Sequence, residues 1–407
     1  MNCRFCASPL ATTLVDLGMQ PLSNAFVDPA RGDQPETFYP LHVRVCASCL
    51  LVQLPELATP AEIFSDYAYL SGVSSTWIDH CERLAAAMIE RLGLGANDLV
   101  VELASNDGTQ LKCFAARGVR VLGIDPAENV AAIARAAGVE TLARFFGEPL
   151  AEELARAGRT PKLIVANNVL AHVPDINGFV RGMRVLLARD GIVSVEFPHL
   201  VQLMAGNQFD TIYHEHFSYL SLLAVTKIFA HHGLRVFDVD ELPTHGGSLR
   251  VLACRDDHDA FATSERVARV LDAERAFGLA RMATYERFAE QVRETKRALL
   301  ELLVREKRAG KKIVGYGAPA KGNTLLNYCG IRDDFLDFTV DRNPLKQGKL
   351  LPGTHLRVEH PDALRAARPD LIVILPWNIE HEITQQLAFV REWGARFVVP
   401  IPKVRVT

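Results

Sequence analysis

The chain has 407 residues, of which 49% are hydrophobic and 23% charged, with a net charge of -3. That length supports two or three domains with full-sized cores. The near-neutral balance excludes a broad electrostatic footprint for nucleic acid. No apolar run reaches the roughly 20 residues that cross a bilayer, and Met1-Asn2-Cys3-Arg4-Phe5-Cys6 lacks the apolar stretch of a secretion signal. A cytoplasmic protein with neither membrane nor nucleic-acid partners is expected, and nothing in the sequence demands more than a monomer.

Of the eight cysteines, Cys3/Cys6 and Cys46/Cys49 form two CxxC pairs, while Cys81, Cys113, Cys254 and Cys329 stand singly. This is a metal pattern in a reducing compartment, not a disulfide framework. Two CxxC knuckles complete a closed four-thiolate zinc site, which is structural and not catalytic; the competing reading is buried or reactive cysteines without metal. The knuckles lie about 40 residues apart, further than in compact zinc ribbons. The insert should therefore form strands of its own, and Phe38–Cys46 alternates like one. The aromatic, hydroxyl-rich stretch Glu62–Trp77 reads as a loop leading into a helix through Arg91, with Tyr67 and Tyr69 open to either packing or function.

The middle of the chain alternates strand and helix. Asp98–Leu103 is a buried strand ending in the polar loop Ala104-Ser105-Asn106-Asp107-Gly108; Val119–Ile124 is a second, ending at Asp125. Helices over about 110–117, 127–137, 148–157 and 176–188, with strands Lys162–Ala166 and Gly191–Phe197, predict an α/β, doubly wound parallel sheet. Ligands in such sheets bind beyond the carboxyl ends of the strands. Glu102 and Asp125 follow the first two strands, and a carboxylate at Asp125 suits the two hydroxyls of a ribose. Asn167 and Asn168 end the third strand, followed by His172. The pattern resembles the S-adenosylmethionine-dependent methyltransferase fold, although Ala104 stands where a glycine is common. An α/β domain with incidental acids is the plainer alternative.

The carboxyl-terminal third begins with helices over 264–309. Strand Lys312–Val314 then runs into Gly315-Tyr316-Gly317-Ala318-Pro319-Ala320, a G-x-G-x-x-A loop, with Asp341 about 20 residues further on after strand Asp337–Val340. That predicts a second, Rossmann-like domain. Its loop and Lys321 suit a diphosphate such as that of NAD in an oxidoreductase, with a vestigial fold as another reading. Leu371–Leu375 is a further buried strand, and Arg396–Pro402 is expected to close the sheet.

Tyr213-His214-Glu215-His216 gathers two imidazoles, a carboxylate and a phenol in four positions. Such residues add little to an apolar core, and histidine titrates where proton transfer at neutral pH needs it. An acid/base site is the sharper reading; a satisfied polar network or a metal site is the blander one.

Taken together, the two CxxC pairs, Glu102–Gly108, Gly123–Pro126, Asn167–Pro174, Tyr213–His216, Thr244–Arg250 and Gly315–Asn323 resemble the nucleotide-sugar C-methyltransferases of deoxysugar biosynthesis. The resemblance spans nearly the full chain. It implies a zinc-binding domain over 1–65, an S-adenosylmethionine-dependent methyltransferase domain over 66–243 carrying the catalytic cluster, and linking helices with a Rossmann-like nucleotide-sugar domain over 244–407. It further implies methylation beside the ketone, mostly at C-3, of a dTDP-4-keto sugar, with His216 as base and Tyr213, Glu215, His172 and Tyr69 supporting it. Glu102, Ser105, Asn106, Asp107, Gly108, Asp125, Asn167 and Asn168 would line the donor pocket, and Tyr316, Lys321, Asn323 and His245 would meet the substrate. An NAD-linked oxidoreductase and an inactive sugar-nucleotide-binding protein are the alternatives.

Overall fold

The computed structural model describes residues 1–64 and 70–407. Tyr67 and Tyr69 lie outside the described residues. The chain divides into two compact units that interleave in sequence. One comprises Met1–Leu10, Cys46–His199 and Phe217–Ala280; the other comprises Ala11–Val45, Leu200–His216 and Arg281–Thr407.

The first unit is built on a seven-stranded sheet. In spatial order its strands are Leu234–Leu242, Ser248–Arg255, Ile192–Pro198, Leu163–Asn167, Leu99–Leu103, Arg120–Ile124 and Thr141–Leu142. The central strands are mostly apolar and buried because both faces are covered, with Glu102, Asn167 and Glu196 near their carboxyl ends. Leu99, Val101 and Leu103 enter one core with Ile164 and Val193. Val100 enters the other with Leu163, Val165 and Ile192. Helices Thr109–Ala115, Glu128–Ala136, Glu148–Arg156 and Ile176–Leu186 supply the cover. Helix Ile176–Leu186 starts where the Asp175 side chain accepts the Gly178 N–H at 2.9 Å.

The strands expected between 98 and 197 pair in parallel, and the sheet gains two further strands beyond Ile192–Pro198. Ser248–Arg255 runs antiparallel to both its neighbours. The cause is local: only Pro243–Gly247 separates it from Leu234–Leu242, and so short a turn cannot make a parallel crossover.

The second unit carries the Rossmann-like sheet, ordered Val358–Glu359, Thr339–Val340, Ile313–Tyr316, Leu371–Ile374, Arg396–Val399 and Arg405–Val406. All pairings are parallel except the last. Arg396–Pro402 was expected to close this sheet. It does not: the strand stops at Val399, before Pro400 and Pro402, which have no N–H to donate, and Arg405–Val406 forms the edge. A hairpin of Thr12–Pro21 with Phe38–Val45 also belongs to this unit. It realises the strands expected between the cysteine knuckles. Helix Met282–Arg308 packs along it. Among the described residues no helix is long and apolar enough to cross a membrane.

Candidate active site and metal centre

The metal centre forms in the first unit. The ligating atoms of Cys3, Cys6, Cys46 and Cys49 lie within 4.8 Å of one another. Sγ of Cys3 is 3.5 Å from that of Cys49, and Sγ of Cys6 is 3.5 Å from that of Cys46. Zinc–sulfur bonds of about 2.3 Å in a tetrahedron put sulfurs roughly 3.8 Å apart, so the cluster fits zinc closely. The two knuckles share a device. Each first cysteine's carbonyl accepts an N–H four residues on, from Ala7 and from Leu50, both at 2.9 Å. Ala7 and Leu50 both adopt the left-handed conformation, with φ of 60° and 69°. Neither is glycine, so the composition of these turns gives no sign of it. Gln53 donates to the Cys3 sulfur at 3.2 Å, support from beyond the four ligands themselves.

The candidate ligand loops follow the carboxyl ends of the parallel strands Leu99–Leu103, Arg120–Ile124 and Leu163–Asn167, where a crevice is expected. The loop after the first strand winds tightly: Ala104, Asn106 and Gly108 all have positive φ, of 55°, 50° and 75°. This explains why a glycine suits position 104 and shows that Ala104 carries strain there. Asp125 accepts the Asn106 N–H on one oxygen and the Ala127 N–H on the other, each at 2.9 Å. Asp107 accepts the Thr109 hydroxyl at 2.6 Å and the Gly72 N–H at 2.8 Å, while Asn106 accepts the Ser71 N–H at 3.0 Å. The segment around Ser71–Gly72 is thereby laced onto the loop. Gly123 is needed for contact alone, since a Cβ there would sit 2.5 Å from Ser105 Oγ.

Glu102 is buried, and burial together with the nearby Asp125 and Asp107 charges pushes its carboxyl well above the usual carboxylate range. Burial likewise raises Asp125 against its two backbone donors. Oε2 of Glu102, Oγ of Ser105 and Oδ1 of both Asn167 and Asn168 are buried without hydrogen-bond partners among the described residues. Unsatisfied buried polar atoms are costly, and these lie on the strand ends and loops where a ligand with hydroxyl and amine donors would satisfy them.

His172 is half-buried in the single turn Leu170–His172 beyond this crevice. His245 belongs to the same unit, exposed, with its Nε2 3.4 Å from Asn168 Nδ2. Beneath it is a network that motif reading missed. Glu196 Oε2 pairs with His80 at 2.8 Å and with Arg250 at 2.9 Å, and Oε1 accepts the Thr244 hydroxyl at 2.9 Å. Burial alone would raise Glu196, but His80 and Arg250 hold it below its ordinary value. These residues lie up to 170 positions apart, and no spacing rule joins them.

The Tyr213–His216 segment belongs to the second unit, together with Tyr316, Lys321 and Asn323. The two imidazoles have different surroundings. His214 is buried against the hairpin, with Nε2 3.4 Å from the Pro40 carbonyl and its ring against Tyr39; burial lowers its basicity. His216 is half-buried and lies against Tyr213, the rings tilted by 35° with centroids 4.1 Å apart. Its Nδ1 donates to the Thr211 carbonyl at 2.8 Å. Glu215 is buried, accepts from Asn24 Nδ2 at 2.6 Å, and is pushed by burial up to about 7. Asn323 donates to the carbonyl of Ser23 at 2.6 Å. The dipeptide Ser23-Asn24 therefore ties Glu215 to Asn323.

In the carboxyl-terminal loop, Asp341 accepts the N–H groups of Ala318 at 2.7 Å and Asn343 at 2.8 Å. Gly315 lies against Thr339 and Gly317 against Pro376, where a Cβ would approach to 2.7 and 2.5 Å. The fingerprint glycines thus serve close packing. Tyr316 is buried at the strand end, its hydroxyl 3.4 Å from Gln386 Oε1.

Three stretches of the chain match known family models. Residues 3–64 match a zinc binding domain, 77–239 a methyltransferase domain and 243–402 a C-methyltransferase C-terminal domain. The C-methyltransferase NovU of Streptomyces niveus is 39% identical over 410 aligned residues, covering 100% of this chain and 96% of that protein. This chain belongs to the C-methyltransferase family. It is an S-adenosylmethionine-dependent methyltransferase with a zinc-binding amino-terminal domain, and both cofactors fit the sites described above. The oxidoreductase alternative raised by the Gly315 loop gives way to this assignment. Among solved structures, Burkholderia thailandensis 1,6-didemethyltoxoflavin-N1-methyltransferase is 19% identical with a TM-score of 0.37, covering 51% of this chain and 95% of its own. Magnesium protoporphyrin IX methyltransferase of Synechocystis PCC 6803 is 16% identical with a TM-score of 0.35, covering 44% and 83%.

Proposed function

We propose that this C-methyltransferase methylates the carbon beside the ketone, at C-3, of a dTDP-linked 4-keto-deoxysugar. The observation that carries the reading is the hydrogen bond from His216 Nδ1 to the Thr211 carbonyl. A carbonyl oxygen only accepts, so Nδ1 holds the proton and Nε2 is the basic nitrogen of the neutral ring.

S-adenosylmethionine, when bound, supplies an electrophilic methyl group. Glu102, Ser105, Asn106, Asp107, Gly108, Asp125, Asn167 and Asn168 hold it, with Asp125 at the ribose. His216 Nε2 takes the C-3 proton, and the C–H pair becomes the enolate with its charge on the C-4 oxygen. Tyr213, His172 and Tyr69 stabilise that oxygen or line the pocket. The C-3 carbanion so formed would accept the methyl that bound S-adenosylmethionine supplies, with the C–S pair remaining on sulfur. Glu215, neutral in part near pH 7, binds a sugar substituent or orients the ring. Tyr316, Lys321, Asn323 and His245 hold the nucleotide sugar. In this reading 1–65 is the zinc domain, 66–243 the donor domain and 244–407 the sugar-nucleotide domain of a cytoplasmic monomer.

The deciding experiment separates deprotonation from transfer. The enzyme with S-adenosylhomocysteine and a dTDP-4-keto-6-deoxy sugar in D2O should exchange the C-3 hydrogen for deuterium, read by proton NMR. Exchange at C-5 only would move the methylation site, and no exchange in an enzyme that binds both ligands would overturn the enolate mechanism.

A further inference from the structure

Asp210 is a fully buried carboxylate in the segment leading to Tyr213, and the mechanism above leaves it unused. Oδ2 accepts the indole N–H of Trp377 at 2.7 Å. Oδ1 is buried without a hydrogen-bond partner among the described residues. Lys321 lies over the Trp377 ring, Nζ 4.5 Å from its centroid, and donates to Asn378. The charges of Asp210 and Lys321 act on each other: each holds the other toward its ionised form against burial. Thr324, one turn along the helix Ala320–Cys329, donates to the Ile212 carbonyl at 3.0 Å and fixes the segment against that helix.

We propose that Asp210 is the resting counter-charge of Lys321, and that the diphosphate of the sugar nucleotide replaces it, so that nucleotide binding draws a proton onto Asp210. This rests on the reading that Lys321 meets the diphosphate. One ammonium serves one resting carboxylate here. A ligand bringing two negative charges to the same ammonium leaves a buried carboxylate beside an anion, with one oxygen already lacking a donor. Protonation removes that repulsion. Asp210 is poised for it, since burial pushes its carboxyl up to about 7. The other titratable group that senses it among the described residues is Cys329 on the same helix, whose thiol is pushed up to about 12 and stays neutral. Trp377 and Asn378 do not titrate. Glu215, in the same segment, is the competing proton acceptor and must be separated by experiment.

The test is calorimetry with dTDP-glucose, whose esterified diphosphate does not titrate near neutrality, at pH 8 in buffers of different ionisation enthalpy. The wild type should take up about half a proton or more per site. Asp210→Asn, which keeps an acceptor for the Trp377 indole, should bind with that uptake largely lost. Glu215→Gln should retain it. Equal uptake by Asp210→Asn and wild type, or loss in Glu215→Gln alone, overturns the proposal. Infrared difference spectra of the wild type keep the test open should Asp210→Asn fold poorly: a protonated-carboxyl band must appear on binding, and its absence is equally fatal. Absence of dTDP-glucose binding to the wild type would instead overturn the nucleotide-sugar reading itself.

Discussion

His216 Nδ1 is held 2.8 Å from the carbonyl oxygen of Thr211, five residues earlier in the same segment. The base candidate therefore has its tautomer set by its own loop, whereas the neighbouring His214 is turned to the Pro40 carbonyl. His216→Ala should lower C-3 exchange by roughly 10²–10⁴-fold, the usual worth of a positioned base. S-adenosylhomocysteine affinity should stay at the wild-type level, because no donor-crevice residue is altered. Exchange at the wild-type rate in His216→Ala would remove it as the base; a parallel loss of S-adenosylhomocysteine binding would mean the variant is simply misfolded.

Glu215 gives a stability prediction with a definite sign. Burial raises its folded-state carboxyl to about 7, and the Asn24 hydrogen bond only partly opposes this. The unfolded chain titrates near the ordinary glutamate value of about 4.3. Between those values the folded state binds more protons, so stability falls as pH rises from about 4.3 through 7. Glu215→Gln removes that loss and should be more stable than wild type at pH 8 by about 1–3 kcal/mol, with little difference at pH 4.5. Urea melts at the two pH values measure it. An equal offset at both would show that the carboxyl does not titrate in this window. Asn24→Ala removes the group that holds the acid down, so the loss should continue to higher pH than in the wild type.

The thiolate cluster should behave as a structural site. Purified protein should contain about one zinc per chain, closed to exchange with solvent ligands. Cys46→Ser, at a buried ligand position, should release the metal and lower the melting temperature. A strong chelator on the wild type should do the same, with metal release and loss of structure running in parallel. Full turnover by a zinc-free, folded enzyme would refute a structural role.

Much of this was legible in the sequence, for physical reasons that differ from part to part. The CxxC pairs were readable because ligand spacing is local, and the central strands because burial on both faces leaves short apolar runs such as Leu99–Val101. The strands Leu234–Leu242 and Ser248–Arg255 were missed because Arg235, Asp238 and Arg250 interrupt their apolar pattern. The edge Arg405–Val406 is too short, at two residues, to show a period. Asp210, Trp377, Asn24 and the Glu196–His80–Arg250 network stayed invisible for another reason. Each acts through a partner dozens to hundreds of positions away, and each alone looks like an ordinary residue of its loop, helix or strand.

Ala104 is a place where the sequence departs from the glycine common in such folds and the structure shows the cost. Its φ of 55° puts its Cβ against the following carbonyl. Ala104→Gly removes that clash but frees the unfolded chain, so the two effects partly offset. The net should be a gain of up to about 1 kcal/mol, seen as a rise of a few degrees at most in melting temperature. Donor binding should be unchanged, because the loop's contacts to Asp125 and from Ser71 and Gly72 are made by Asn106 and Asp107. A fall in melting temperature would mean that Ala104's methyl group contributes more in packing than its backbone loses in strain.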